Sequence, residues 1–229
     1  MKGHGAFHRP AVVLCDFDGT MTTEDIIVEV WRRFAKEGWQ REVEEILSQR
    51  KTLKEGVAGV FAQIPTSCVC DIIQHAKDVV RFRPGLQEFL AFCQEQGLEF
   101  VVASGGIDFF VHPVLEPLKP WIKRIYTVPA DLSGDTIRLL HPYGCQSCGL
   151  CKARVMEDYP GWFRILIGDS LTDLHGALGA DLVFARDRLR RMLQELGRPY
   201  EPFETFSDVQ EILANKLLGR AQVSRYRDL

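Results

Sequence analysis

A chain of 229 residues of which 46% are hydrophobic can bury one α/β core carrying an insertion, or two small domains. Its formal net charge of −3 and pI near 6.1 give no electrostatic surface suited to nucleic acid, and the basic run Arg186-Asp187-Arg188-Leu189-Arg190-Arg191 is explained by a solvated helix face. No apolar run is long enough to cross a bilayer, and Met1-Lys2-Gly3-His4-Gly5 lacks the apolar stretch of a signal peptide, so a cytoplasmic protein without a membrane partner is expected.

The first element is Val12-Val13-Leu14-Cys15, a short apolar run that reads as a buried parallel strand and leads directly into Asp16-Phe17-Asp18-Gly19-Thr20. Ligands in open α/β sheets bind outside the carboxyl ends of strands, which is where Asp16 and Asp18 fall. Period-two alternation sets both carboxylates on one side of the chain and Phe17 on the other. Two like charges so close need a cation or a shared proton between them. A divalent metal meets that need and leaves one carboxylate as nucleophile and the other as acid and base. Asp-Gly is also a common turn pair, so this segment alone does not separate a site from a turn.

Thr23-Glu24-Asp25 supplies helix-start chemistry, and Ile26, Ile27, Val30, Trp31 and Phe34 recur at helical spacing. Residues 40–61 continue as helix on Val43, Ile46, Leu47, Val57, Val60 and Phe61, and Pro65-Thr66-Ser67 opens another through Ile72, Ile73 and Ala76. This helical block of roughly sixty residues far exceeds what a βα crossover needs. Residues 22–82 are therefore expected to form an inserted helical cap, with 1–21 and 83–229 as the catalytic core.

Arg83-Pro84-Gly85 marks the return to the core. An amphipathic helix runs from Gly85 to Gln96 and is ended by Gly97. Residues 98–103 form the next strand, which delivers Ser104, Gly105 and Gly106 at its end. A helix punctuated by Pro113, Pro117 and Pro120 follows, then a strand over 124–130 and a hairpin around Ser133-Gly134-Asp135. Residues 152–159 read as helix, 164–168 as a strand ending at Asp169, 172–179 as helix, and Leu182–Ala185 as the final short strand. Alternation of this kind specifies an α/β fold built on a doubly wound parallel sheet.

Seven cysteines in a cytosolic chain are not expected to form structural disulfides. Cys15 and Cys93 read as small buried hydrophobes. Cys145-x-x-Cys148-x-x-Cys151 with His141 upstream offers four soft ligands in one short loop. That is a possible Zn²⁺ site, although a tight cluster lacks the usual distant second pair of ligands. A reduced loop that positions Lys152 is the alternative.

Asp16/Asp18/Thr20, then Ser104, then Lys152, then Asp169/Asp173 occur in the order of the four motifs of the haloacid dehalogenase superfamily of phosphatases, which the chain resembles. The resemblance implies a Rossmann-like core and Mg²⁺-dependent phosphomonoester hydrolysis through an aspartyl-phosphate. On the matching positions it makes Asp16 the nucleophile and Asp18 the general acid and base. It makes Ser104 and the amides after it, Gly105 among them, the phosphoryl contacts, and Lys152 a fixed positive charge. The implied metal ligands are Asp16, the main-chain carbonyl of Asp18, and Asp169, with Asp173 behind them orienting water or Lys152. Lys152 also reads as an ordinary exposed lysine, and Thr20 as a holder of the loop.

Further segments narrow the resemblance. Thr52-Leu53-Lys54-Glu55-Gly56-Val57, Ser104 to Val111, the cysteine loop and Phe184-Ala185-Arg186-Asp187 together resemble one subfamily, the 2-hydroxy-3-keto-5-methylthiopentenyl-1-phosphate phosphatases of methionine salvage. The cysteine loop is shorter here than is usual in that subfamily. A small phosphorylated metabolite is the implied partner, and the oligomeric state is not legible. Two rivals stay open: a phosphoserine phosphatase that reads an amino group through Glu24 or Asp25, and a non-catalytic zinc-binding or interaction module. Some of Trp31, Phe34, Phe109 and Phe110 are candidates to wall an apolar pocket. Asp187 is expected to cap the helix after the last strand, with Arg186 turned to solvent.

Overall fold

The computed structural model describes residues 9–48 and 50–227; the Met1–Gly5 segment and the extreme ends of the expected core lie outside them. Strand β1 (Ala11–Cys15) is buried along its whole length, as a strand covered on both faces must be. After the Asp16–Met21 turn come helices α1 (Ile26–Phe34), α2 (Trp39–Leu47), α3 (Leu53–Phe61) and α4 (Val69–Val79). Helix α5 (Leu86–Glu95) then leads to β2 (Glu99–Ile107), α6 (Asp108–Leu115) and β3 (Arg124–Val128). A small antiparallel pair, β4 (Ala130–Asp131) and β5 (Arg138–Leu139), precedes the cysteine loop. The chain ends with α7 (Lys152–Met156), β6 (Phe163–Gly168), α8 (Leu174–Gly179), β7 (Leu182–Ala185), α9 (Asp187–Glu195), β8 (Glu201–Pro202) and α10 (Phe206–Arg227).

Six strands form one parallel sheet in the order β3-β2-β1-β6-β7-β8. The order reverses direction at β1, which lies between β2 and β6 and so puts Asp16 at the switch point of a doubly wound sheet. One further bond, from the Asp16 amide to the Ile167 carbonyl at 2.9 Å, carries the β1–β6 register up to the edge of the site.

Helices α1 to α4 leave and rejoin the core through two paired chain segments. Thr22 and Phe82 form an antiparallel bridge, and the Arg83 amide donates to the Met21 carbonyl at 2.8 Å. Within the insertion the expected 40–61 helix is two helices. Ser48 closes α2, and Thr52 and Glu55 form a reciprocal capping box that starts α3 afresh. Lys51 folds back between them onto Glu42 and Glu45. The apolar spacing runs in phase through both helices, which is why periodicity alone joined them.

Three other expectations change. Strand β2 extends beyond residue 103, with a register irregularity between Ala103 and Ile107 that lets Ser104, Gly105 and Gly106 belong to the strand itself. The proline-punctuated helix ends at Leu115 and tightens into a 3-10 segment over Glu116–Trp121. Strand β7 is not the last, because β8 pairs beyond it; at two residues with a proline, β8 carries no periodic signal.

Candidate active site

The site is built from strand ends. Asp16 follows β1, Ser104 sits in the irregular end of β2, Asp169 follows β6, and Lys152 opens α7. Carboxylate oxygens of Asp16, Asp169 and Asp173 lie within 4.8 Å of one another. Lys152 is 1% exposed, and its ammonium reaches Asp16 Oδ1 at 2.8 Å and Asp173 Oδ1 at 2.5 Å. The surface-lysine reading is thereby excluded. Asp173 holds the turn before it as well: its Oδ2 accepts from the amides of Asp169 and Ser170 at 3.0 and 2.9 Å.

The Asp16–Met21 turn needs Gly19. Its φ is +75°, and a Cβ there would stand 2.7 Å from Asp169 Oδ2, so only glycine lets the first loop close against the later acid. Thr20 Oγ1 donates to Asp169 Oδ1 at 2.7 Å, which is the loop-holding role expected of it. Asp18 Oδ1 accepts from the Ile26 amide at 2.8 Å, tying the second acid to the start of α1. Asp25 caps α1 by accepting from the Val28 amide. Ser104 is fully buried, and its Oγ accepts from the Gly106 amide at 2.8 Å. A Cβ on Gly106 would lie 3.0 Å from that Oγ and 3.2 Å from Asp18 Oδ2, so backbone without a side chain separates the hydroxyl from the acid.

Burial and mutual repulsion dominate the electrostatics. Burial first, and then the Asp173 charge, push Asp16 up to about 7 against the opposing pull of Lys152. Burial, helped by the charges of Asp16 and Asp173, raises Asp169 to about 8. Asp18 is raised by burial and then by Asp25 and Asp16. Burial works against the Lys152 charge, but Asp16 and Asp173 outweigh it and hold the ammonium firmly protonated. Four acidic side chains thus share the site with one ammonium. The donor set is all oxygen and short of positive charge, which fits Mg²⁺ better than a thiophilic ion.

Asp16, Asp18 and Asp169 floor a cavity of about 310 Å³, with Asp25 beside them. Its walls are apolar: Ile27, Val28 and Trp31 from α1, Val43, Ile46 and Leu47 from α2, and Leu53 and Val57 from α3. Of the four aromatics considered from sequence, Trp31 lines the cavity. Phe34 instead packs against His75, Phe109 packs edge-on to Phe110 against the core, and Phe110 is buried in the core.

Arg83 was not legible as a site residue. Its guanidinium donates to the carbonyls of Gly19, Thr20 and Thr22 at 2.6, 2.8 and 3.1 Å, clamping the turn that carries Asp18. An Arg-Pro-Gly return to the core was visible, but nothing local indicates that the arginine reaches back more than sixty residues. Arg188, read as part of a solvated face, lines the cavity rim. The Arg186 and Asp187 expectation is corrected. Arg186 is the residue before α9, its side chain is 13% exposed, and it pairs with Asp187 and Glu204 beside Phe203. Asp187 makes no capping bond and takes a φ of 43°.

The cysteine loop also differs from expectation in its histidine. His141 Nδ1 lies 3.2 Å from the Gly149 carbonyl, and the imidazole whose Nδ1 lies within 3.8 Å of all three thiols is His175 on α8.

Comparison with known proteins bears on this geometry. Residues 13–177 match the model of the haloacid dehalogenase-like hydrolases. The chain is 42% identical over 213 residues to the 2-hydroxy-3-keto-5-methylthiopentenyl-1-phosphate phosphatase of Geobacillus kaustophilus, covering 90% of this chain and 96% of that one. It is 43% identical over 212 residues to the protein of the same name from Brevibacillus brevis, with the same coverage. Among solved structures, a phospho-aspartyl intermediate analogue of phosphoserine phosphatase superposes with a TM-score of 0.67 at 17% identity, over 90% of this chain and 99% of that one. That last likeness concerns the fold.

Proposed function

The chain belongs to the haloacid dehalogenase-like hydrolases, and from that premise we propose that it is a Mg²⁺-dependent phosphatase of the cytoplasm that acts on 2-hydroxy-3-keto-5-methylthiopentenyl-1-phosphate in methionine salvage. The carrying observation is a cavity whose floor is acidic and oxygen-rich and whose walls are apolar. A phosphate suits the first and a methylthio tail the second. The curated relatives named for this activity, similar over nearly their whole length, support the same reading. In this reading residues 22–82 serve as a cap over the core formed by 1–21 and 83–229, and choose the leaving group.

Asp16, the main-chain carbonyl of Asp18, and Asp169 would hold Mg²⁺, which would supply positive charge against the Asp16 carboxylate and the phosphoryl oxygens. Lys152 occupies Asp16 Oδ1, which leaves Oδ2 to attack phosphorus in line. The P–O bond to the leaving group breaks as the new bond forms, giving an aspartyl-phosphate. Asp18 is kept protonated by burial and neighbouring charge; with Oδ1 engaged by the Ile26 amide, its Oδ2 is the oxygen that gives a proton to the departing alkoxide. The same oxygen then takes a proton from water as that water attacks phosphorus. Phosphate leaves and Asp16 is restored. Ser104 accepts from Gly106, so its own hydroxyl proton is free for a phosphoryl oxygen, beside the Gly105 backbone. Asp173 positions Lys152 and the Asp169 turn without touching substrate.

The phosphoserine alternative is less well supported. Asp25 does line the cavity, but its Oδ1 is engaged in capping α1, and a charged amino group finds no acid among the α2 and α3 wall residues. The deciding experiment assays both substrates side by side with Mg²⁺. Catalytic efficiency for the methylthio substrate should exceed that for phosphoserine by orders of magnitude, EDTA should abolish turnover, and Asp16→Asn should be folded and inactive. Preference for phosphoserine would reject the substrate, and a fully active Asp16→Asn would reject the mechanism.

A further inference from the structure

Outside the acidic site, the other close group of metal-binding side chains among the described residues joins the cysteine loop to α8. The Sγ atoms of Cys145, Cys148 and Cys151 lie 3.8, 3.6 and 3.8 Å from one atom, His175 Nδ1. The donor atoms of Cys145, Cys151 and His175 lie within 4.8 Å of one another, a group that Cys148 Sγ stands just outside while it remains 3.6 Å from His175 Nδ1, and all the cysteines are free thiols. An imidazole nitrogen has either one lone pair or one N–H, so at most one of these three contacts can be an ordinary hydrogen bond. A tetrahedral ion accounts for all three: Zn–S near 2.3 Å and Zn–N near 2.05 Å place sulfur and nitrogen about 3.6 Å apart across the tetrahedral edge.

The loop backbone is arranged to receive anionic sulfur. Cys145 and Cys148 close a turn through a 3.0 Å bond from the Cys145 amide to the Cys148 carbonyl. The Cys148 amide then donates back to Cys145 Sγ at 3.3 Å. A thiolate bound to a cation keeps enough charge to accept such bonds, whereas a neutral thiol is a weak acceptor.

We propose that Cys145, Cys148, Cys151 and His175 form a closed, four-coordinate Zn²⁺ site. Three thiolates and one imidazole in a tetrahedral arrangement select zinc over magnesium, and four protein ligands leave no open position for substrate, so the site is structural. It replaces the usual distant second pair of ligands with a single histidine 24 residues beyond Cys151. What it holds together is specific. Cys151 immediately precedes Lys152, and His175 follows Asp173, so the ion ties the segment that delivers the ammonium to the segment that delivers two of the acids. The loop also touches the helical insertion, since the Lys54 amide donates to the Ser147 carbonyl at 3.1 Å.

The proposal stands apart from the phosphatase reading and is tested on the whole chain without an activity assay. Protein purified without chelator should carry about one zinc per chain by elemental analysis. Cobalt substitution should give the visible bands of thiolate-ligated tetrahedral Co²⁺. His175→Ala and Cys148→Ser should lower zinc content at least about fivefold, while His141→Ala retains it. Should those variants fail to fold, the wild-type stoichiometry, the cobalt spectrum and the His141→Ala control still decide. Zinc below about 0.1 per chain in folded wild-type protein, a disulfide among the three cysteines, or zinc lost from His141→Ala but kept by His175→Ala would each overturn it.

Discussion

Mg²⁺ affinity should depend steeply on pH, because the proposed carboxylate ligands must lose protons to bind it. Asp16 is raised to about 7 and Asp169 to about 8 in the metal-free site. At pH 6 both are then mainly protonated, and Mg²⁺ must displace up to about two protons. The two competition factors multiply to about 1,000 at pH 6 and to about 2 at pH 8, an affinity gain of roughly 500-fold if both groups titrate independently. They share one site and repel each other, so one displaced proton sets the lower bound, at roughly tenfold over the same range. Calorimetric titration of Mg²⁺ in buffers of different ionisation enthalpy measures affinity and proton release together. A Kd that changes less than about threefold between pH 6 and 8, with no proton released, would refute the argument.

The same groups fix the sign of metal-free stability. Their folded pKa values lie above the unfolded value of about 3.9, so the folded state binds more protons across the window between. These two groups therefore take stability away from the metal-free protein as pH rises from about 4 toward 8, and Mg²⁺ should return it. Thermal denaturation should show a Mg²⁺-induced rise in Tm that is larger at pH 8 than at pH 5.

Arg83→Ala leaves the carbonyls of Gly19, Thr20 and Thr22 without their donor and should cost about 2–4 kcal/mol of stability; an unchanged Tm with unchanged kcat would show the clamp to be dispensable. Arg186→Ala should lower Tm through lost contacts with Asp187, Glu204 and Phe203 while kcat/KM stays within about twofold of wild type; a hundredfold loss in a normally melting protein would move Arg186 into the site. Val57→Asp puts a charge in the apolar wall and should reduce catalytic efficiency for the methylthio substrate about tenfold or more, with far less effect on glycerol phosphate; equal losses on both substrates would mean that the wall does not read the tail.

The parallel sheet was legible because β1, the first part of β2, and β6 are apolar runs closed by glycine or an acid, and each run is long enough to be buried on both faces. The acids at their ends were legible for the same reason, since a strand end in such a sheet is a place in the fold and not merely a place in the chain. The break between α2 and α3 carried a local signal as well, Thr52 followed three residues later by Glu55, but continuous apolar spacing outweighed it. Strand β8 had no comparable signal. It is held by two register pairs to β7, and its position depends on where β7 has already been laid down.

What stayed hidden in the site shares one physical feature, namely partners that are close in space and remote in sequence. Lys152 was placed by motif order, but its burial between Asp16 and Asp173 depends on α7 meeting the β1 and β6 strand ends. Arg83 clamps a turn that lies on the far side of the entire helical insertion. His141 was the nearest histidine to the cysteines along the chain, yet the local fold points its ring at the Gly149 carbonyl, while His175 arrives from α8 beside the Asp169–Asp173 turn. The order of elements explains why. The acids, Lys152 and the thiols all lie at the carboxyl edge of one sheet, and the two later loops there must be held in register with each other for Lys152 to meet Asp173. The proposed cross-link from Cys145, Cys148 and Cys151 to His175 would supply that register where the five-residue helix α7 is too short to provide it alone.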